Sequence, residues 1–319
     1  MNALLFQALT VLVAAGAPAA SDNVLLDELV AKGVKMPDGQ VVFLPLPTMA
    51  EGLNAKQQAV VLTKTAALGK TTLERFLDEH SNAPVTLKLG KVAAGRDGID
   101  VIRRVDLGFV VYGDWNVITS DQFSKSILKE GKPSNENKNS MVSKAGYLKP
   151  AEELVRKLST RSTPDLKEYF LYTTFKLFDR VELSATRFGV ATKTPAGVVV
   201  AAKVDLRFAK DKEKEFPNQW RTIDRDAAGK VVMGPALPYS GAAFYAKVTR
   251  LIKPENAIFV EFHQVFYEPR AWFGDDENLM RSELSKIIPF KVKEFRGKLA
   301  KATLDDAEKK KGDRSPAGK

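Results

Sequence analysis

Two pairs of long segments in which apolar and polar side chains alternate constrain the fold most. Segments 181–192 and 198–208 flank a Thr-Pro-Ala-Gly turn, and segments 242–252 and 257–267 flank a Lys-Pro-Glu-Asn loop. Alternation with a period of two is typical of strands that bury one face, and short loops join neighbouring antiparallel strands. The pattern therefore predicts an antiparallel sheet in the second half of the chain, with one side facing solvent.

A helical stripe follows the last strand and predicts how this sheet is closed. From about Glu277, apolar residues recur at Met280, Leu284 and Ile288, and the stripe resumes after Pro289, which predicts a kink or a break. We therefore predict an α+β fold with a curved antiparallel sheet over residues 146–300, closed by a C-terminal helix, and a disordered tail over 301–319. By fold-level analogy with helix-grip proteins, such a sheet can hold an apolar ligand under its helix.

The first half of the chain mixes helical and strand signals over residues 21–131. Asn54 and Gln57 have capping-box spacing before a helix that runs to about residue 68, and Thr71 with Glu74 repeats that spacing before a second helix that ends near His80. Segments 85–89 and 101–111 alternate as a hairpin. Residues 132–145 are polar and predict a linker, although the sequence leaves open whether the two halves are separate domains.

The N-terminal twenty residues carry no charged side chain and resemble a secretion signal. The apolar run over 3–15 is too short to span a membrane comfortably, and Ala17-Pro18-Ala19 supplies a cleavage site of the A-x-A type. We expect cleavage near Ala19 or Ala20 and a periplasmic or secreted mature protein. An uncleaved anchor and a buried N-terminal helix are the alternatives.

The composition narrows the classes of chemistry. The chain has no cysteine and two histidines, which excludes thiol nucleophiles and disfavours zinc sites that need several His or Cys ligands. The stretch Gly69-Lys70-Thr71-Thr72 has Lys64 where a P-loop needs its first glycine. Ser126 and Lys129 have S-x-x-K spacing without the other penicillin-binding motifs. We therefore predict no cofactor.

The net charge of +10 and one aromatic pair indicate the kinds of partner. A basic surface favours anionic ligands or lipid head groups, although it can also serve solubility alone. Trp272, Phe273 and Arg270 are candidates for contact with an apolar ligand or a membrane surface; the alternative is that the aromatic pair packs under the next helix. Three dispersed tryptophans give no base-stacking platform, so no specific nucleic acid is expected. The oligomeric state is left open.

Two groups of side chains are the candidate chemical sites. Strand alternation places Glu261, His263 and Tyr267 on one face, where Glu261 could raise the histidine pKa for acid–base work. The alternative is a polar pair on a solvent-facing strand. Asp275, Asp276 and Glu277 form a carboxylate cluster that could bind calcium, with helix capping as the alternative.

The leading functional hypothesis is an exported, non-enzymatic protein that binds an apolar or anionic ligand or serves as an envelope component. It rests on the β-rich body, the basic charge and the missing nucleophile, metal and nucleotide motifs. An extracytoplasmic hydrolase using carboxylates or His263 is the first alternative, since carboxylate sites leave no spacing signature. An interaction or scaffold domain without a small ligand is the second.

Overall fold

The computed structural model describes residues 23–94, 100–120, 122–123, 126, 142–148, 158, 160–209, 215–273 and 277–312. Its α-helices are α1 Val24–Ala31, α2 Ala55–Leu68, α3 Leu73–Phe76, α4 Trp115–Ile118 and α5 Glu277–Gly312. Its strands are β1 Val34–Lys35, β2 Val41–Val42, β3 Thr86–Ala94, β4 Val101–Tyr112, β5 Val142–Tyr147, β6 Leu166–Leu177, β7 Val181–Lys193, β8 Gly197–Val204, β9 Gln219–Arg225, β10 Val231–Met233, β11 Leu237–Pro238, β12 Ala242–Arg250 and β13 Ala257–Glu268.

One antiparallel sheet of eleven strands organises the described residues. Its main path runs β10-β9-β7-β8-β12-β13-β4-β3, while β6 also pairs with β7, β5 with β6, and β11 with β9. The hairpins β7–β8 and β12–β13 form as their alternation predicts. The predicted α+β fold, a large antiparallel sheet in the second half with a C-terminal helix, is confirmed.

Strands from both halves of the chain lie side by side in this sheet. β4 pairs with β13 over its whole length, from Val101 opposite Glu268 to Tyr112 opposite Ala257. Residues 142–145 of the predicted linker belong to β5, which pairs with β6. Residues 132–141 of that linker lie outside the described residues.

Local sequence signals predicted some helix and strand ends correctly and others incorrectly. The capping box of Asn54 with Gln57 starts α2 as predicted. The next helix starts one residue later than expected, with Thr72 as its cap, and ends at Phe76, so His80 lies beyond it. β8 stops at Val204 rather than continuing to residue 208, because the Asp205 side chain accepts a hydrogen bond from the backbone N–H of Arg207 and starts a 3₁₀ turn.

The long helix α5 covers one side of the sheet, which we call the inner face. Pro289 lies on an exposed position of α5 and does not end the helix. The buried residues of α5 are Met280, Leu284, Ile288, Val292, Phe295 and Leu299, and they belong to the main hydrophobic cluster of the protein. Where the sequence predicts a disordered tail from residue 301, α5 continues to Gly312.

The opposite side of the sheet, the outer face, is also covered around β12 and β13. Residues 23–49 cross it, and Leu25, Leu29 and Val42 pack there against Tyr245 and Val265. α2 and α3 cover the neighbouring part through Leu62 and Phe76. The expectation of a solvent-facing side is therefore wrong for β13, which is buried at nearly every position. Contacts so distant in sequence leave no local periodic signal.

Candidate functional site

Small residues form the centre of the inner face. They are Ala185, Gly189, Ala191, Ala202, Ala242 and Ala246, all on strands β7, β8 and β12. The ring of Tyr169 on β6 leans across Gly189, its register partner on β7. A Cβ on Gly189 would overlap that ring. The small residues therefore make room for side chains that cross the sheet.

Several polar atoms on the inner face are buried without a hydrogen-bond partner. They are the hydroxyl of Tyr169, the indole Nε1 of Trp272 and both side-chain amide atoms of Gln264. A buried polar group left unpaired costs about 1–3 kcal/mol, which is why native proteins pair nearly all of them. These four atoms lie on one side of the sheet, on elements as far apart as β6 and β13.

Gln264 is the most unusual of these residues. It lies on β13 between Phe262 and Phe266 and is 1% exposed. Its register partners are Phe244 on β12 and Val105 on β4, both of which belong to the hydrophobic cluster. Its amide is therefore surrounded by apolar side chains.

A buried arginine lies on the same face, toward β6. Arg187 on β7 is 1% exposed, and its Nη1 donates a hydrogen bond of 2.7 Å to the Thr173 hydroxyl. Burial lowers the pKa of Arg187 to about 10, although the nearby Tyr239 and Tyr169 hydroxyls oppose that shift. The guanidinium remains charged at neutral pH. Burial raises the pKa of Tyr169 well above its ordinary value, so its hydroxyl remains neutral.

The predicted aromatic pair lies under the inner-face cluster rather than on the surface. Trp272 and Phe273 are 2% and 6% exposed. The Trp272 ring stacks on Tyr239, with centroids 5.7 Å apart, and meets Trp220 edge-on at 6.1 Å. Arg270 is exposed, and its backbone N–H donates to the Asp100 carboxylate at 2.9 Å. Trp272 and Phe273 both belong to the inner-face cluster, and Trp272 adds an indole N–H without a partner.

A small cleft lies beside Val105, the register partner of Gln264. It has a volume of about 170 Å³ and lies between β3, β4 and the first turns of α5, where Met280 and Leu284 line it. Gln264 is not among its lining residues, so the cleft reaches Val105 and stops short of the amide.

The predicted acid–base group lies on the outer face and is closed by the N-terminal segment. Glu261 accepts hydrogen bonds from the Thr48 N–H at 2.8 Å, the Thr48 hydroxyl at 2.7 Å and the Met49 N–H at 3.2 Å. His263 Nδ1 lies 2.7 Å from Asp106 Oδ1, and its Nε2 lies 3.8 Å from Glu261 Oε2. Tyr267 donates instead to Asp100. The structure thus brings Glu261 and His263 together, with Asp106 added, and directs Tyr267 elsewhere.

Electrostatics favour an ionised cluster on this face. Burial disfavours the charged imidazole, but the hydrogen bond to Asp106 and the nearby Glu261 carboxylate outweigh it and raise the pKa of His263. Burial likewise opposes ionisation of Glu261, yet the hydrogen bonds from Thr48 and the nearby imidazole of His263 keep the pKa of its carboxyl below the ordinary value. The side chains of Glu261 and His263 are buried, at 2% and 8% exposed. The hydrogen bonds that Glu261 accepts hold residues 48 and 49 on the sheet.

A larger cleft of about 580 Å³ lies on the outer face between α1 and strands β7 and β8. Charged side chains at its rim are joined in pairs. These pairs are Lys203 with Glu28 at 2.7 Å, Arg161 with Glu168 at 2.6 Å and Arg207 with Asp205 at 2.6 Å. Carboxylates therefore already neutralise these three cations at the rim of the cleft.

The proposed calcium ligands are only partly within the described chain. Asp275 and Asp276 lie outside the described residues, and Glu277 is the first residue of α5. The calcium site stays a prediction. Within the described ranges, no three His, Asp or Glu side chains are grouped as a metal site would need. No helix in those ranges is both long enough and apolar enough to cross a bilayer.

Sequence reasoning did not single out Gln264. The available signal was a lone amide between Phe262 and Phe266 on a strand face that is otherwise apolar. Tyr169, Gly189 and Arg187 carried no comparable signal, because their proximity depends on the register of β6 against β7.

Comparison with known proteins adds little. No protein-family model and no curated protein matches this chain. A crystal structure of human STARD10 is similar with a TM-score of 0.31 and 9% sequence identity, covering 71% of this chain and 76% of that chain. At this TM-score the likeness carries no conclusion about function.

Proposed function

We propose that the mature protein is exported and binds, without catalysing a reaction, a mainly apolar molecule that carries a polar group. The binding site is the space between the inner face and α5. The observation that carries the proposal is the group of buried, unpaired polar atoms of Tyr169, Trp272 and Gln264 on that face.

The energetics favour an added molecule at this position. Each unpaired atom costs about 1–3 kcal/mol, and a ligand that supplies its hydrogen bonds recovers that cost. The surrounding apolar side chains and the small residues of β7, β8 and β12 suit an apolar body. A ligand that is apolar along its length and polar at specific points therefore complements the inner face.

Contact quenching of tryptophan fluorescence tests this placement. The probe is a ten-carbon alcohol brominated on its chain, since bromine quenches tryptophan at close range. A variant that retains only Trp272 (W115F/W220F) should be quenched saturably, at one alcohol per protein. A variant that retains only Trp115 (W220F/W272F) is the control, because Trp115 lies on α4, beyond the far end of β4. Absence of saturable quenching of Trp272 would overturn the proposal.

Export is tested separately by the N-terminus of the protein isolated from its native cells. The uncharged leader with its Ala17-Pro18-Ala19 site supports removal near Ala19 or Ala20. Mass spectrometry should find the chain starting there, in an extracytoplasmic fraction. Material that retains Met1 would contradict export without affecting the binding proposal.

A stripe on the exposed side of α5 supports peripheral contact with anionic lipid. Phe290 and Leu304 are 56% and 66% exposed, and the exposed lysines Lys286, Lys293 and Lys301 share their line along the helix. Spacings of three and four residues place all five on the side opposite the buried residues of α5. Lysines flanking apolar side chains fit an anionic bilayer surface.

A further inference from the structure

We propose that Gln264 selects a ligand whose polar group both donates and accepts a hydrogen bond, such as a hydroxyl, over an ether, a hydrocarbon or an ionised carboxylate. This inference rests on the proposed ligand site and specifies the chemistry of its polar group.

The side chain of Gln264 presents one acceptor and one donor group to the same small space. Its Oε1 and its Nε2 are both buried, and neither has a hydrogen-bond partner. The conclusion does not depend on which atom is oxygen and which is nitrogen, because both positions are unpaired.

The neighbours of Gln264 cannot meet this demand. Across the sheet it faces Phe244 and Val105, and along its own strand the inner-face neighbours are Phe262 and Phe266. All four side chains are apolar and buried. No sheet neighbour of Gln264 can pair its amide, and we assign that role to a bound molecule.

The choice among ligand classes follows from hydrogen-bond counting. A hydroxyl can donate to Oε1 and accept from Nε2, whereas an ether oxygen can only accept and leaves Oε1 unpaired. A hydrocarbon leaves both atoms unpaired. An ionised carboxylate can accept but not donate, and its charge would be desolvated among apolar side chains. Sites built to pair a substrate hydroxyl discriminate strongly against analogues that lack it.

The cleft lined by Val105, Met280 and Leu284 is the entry that we assign to such a ligand. Gln264 does not line this cleft, so the Val105 side chain, its neighbour on β4, has to move aside for the hydroxyl to reach the amide.

A competition experiment with matched ligands tests the inference. Decan-1-ol, decyl methyl ether and decanoate at pH 8 are each used to displace the neutral apolar dye N-phenyl-1-naphthylamine from the full mature protein. Three proteins are compared: wild type, Gln264→Leu and Gln58→Leu. Gln58 is the matched control because it is also buried but its Oε1 accepts a hydrogen bond of 2.9 Å from the Ile252 N–H.

In the wild type, the alcohol should bind about tenfold more tightly than the ether, which corresponds to one hydrogen bond of about 1.4 kcal/mol. Decanoate should bind more weakly than the alcohol. In Gln264→Leu the alcohol-to-ether ratio should fall to about one, and it should persist in Gln58→Leu. Comparing ratios between proteins removes the difference in water solubility between the ligands.

Equal alcohol-to-ether ratios in wild type and Gln264→Leu would overturn the inference while leaving the ligand site intact. Failure of the dye and of all three ligands to bind the wild type would overturn the proposed function as well. Gln264→Met, which keeps the chain length, is the second variant if Gln264→Leu does not fold, and the same collapse of the ratio is expected.

Discussion

The ring of Tyr169 lies directly across Gly189 of the neighbouring strand, and no other residue type fits at position 189 without moving that ring. This contact carries the Tyr169 hydroxyl over the small residues at the centre of the inner face. It links a single glycine to the shape of the proposed ligand site.

Gly189→Ala should lower the free energy of unfolding by about 1–3 kcal/mol, because the added methyl group overpacks a buried contact. Gly90→Ala on β3 is the control, since a Cβ there meets no atom within 4 Å; its effect should stay within about 0.5 kcal/mol. Urea denaturation measures both. Equal effects of the two substitutions would contradict the packing of Tyr169 on Gly189.

Gln264→Leu should leave the free energy of unfolding of the ligand-free protein unchanged or raise it, because it removes two unpaired polar atoms from an apolar environment. Gln58→Leu should lower it by about 1 kcal/mol, since it removes the hydrogen bond that the Ile252 N–H donates to Gln58. The same urea titration compares them. A larger loss for Gln264→Leu than for Gln58→Leu would mean that Gln264 is already paired in the ligand-free protein.

Local sequence patterns predicted two features of the fold. Strand alternation predicted the hairpins β7–β8 and β12–β13, and the apolar stripe after Glu277 predicted the helix that closes the inner face. These patterns missed the cover on the outer face, since the contact between Thr48 and Glu261 joins residues 213 positions apart. They also missed the last turns of α5, which are polar but carry an i,i+4 ion pair of Lys310 with Asp306. Gln264 was visible as a lone polar residue, whereas the approach of Tyr169 to Gly189 required the register.

Glu261→Gln should release residues 48 and 49 from the sheet. The substitution places an amide N–H₂ opposite groups that already donate hydrogen bonds, and its cost should be about 2–4 kcal/mol of unfolding free energy. Hydrogen exchange of the Thr48 and Met49 amides should accelerate more than exchange in β7. Glu255→Gln, at an exposed loop position, should change neither quantity; unchanged protection at Thr48 in Glu261→Gln would refute the role of Glu261.

The stability of the protein should fall as pH rises above about 6.5, the ordinary histidine pKa. Because the folded pKa of His263 is raised, its stabilisation is fully present below the unfolded pKa and is lost as pH rises through the folded value. His263→Gln should lack this decline, whereas His80→Gln should retain it. The lowered pKa values of Asp106 and Glu261 predict a separate loss as pH falls through their folded values.

The stripe on α5 should direct the protein to anionic vesicles. Lys293→Glu with Lys301→Glu should weaken binding to phosphatidylglycerol-containing vesicles at least tenfold, because each lysine contributes about 1 kcal/mol near such a surface. Lys56→Glu with Lys64→Glu makes the same charge change at exposed positions on α2 and is the control. Co-sedimentation at low and high salt measures binding. Equal losses for both pairs would indicate a response to net charge rather than to the stripe.

The most direct test of the ligand site is a crystal structure of the mature protein grown with a brominated decan-1-ol. The account predicts anomalous bromine density between the inner face and α5, with the alcohol oxygen within hydrogen-bond distance of both amide atoms of Gln264. An inner face closed around an unoccupied Gln264, with the alcohol bound elsewhere or absent, would contradict it.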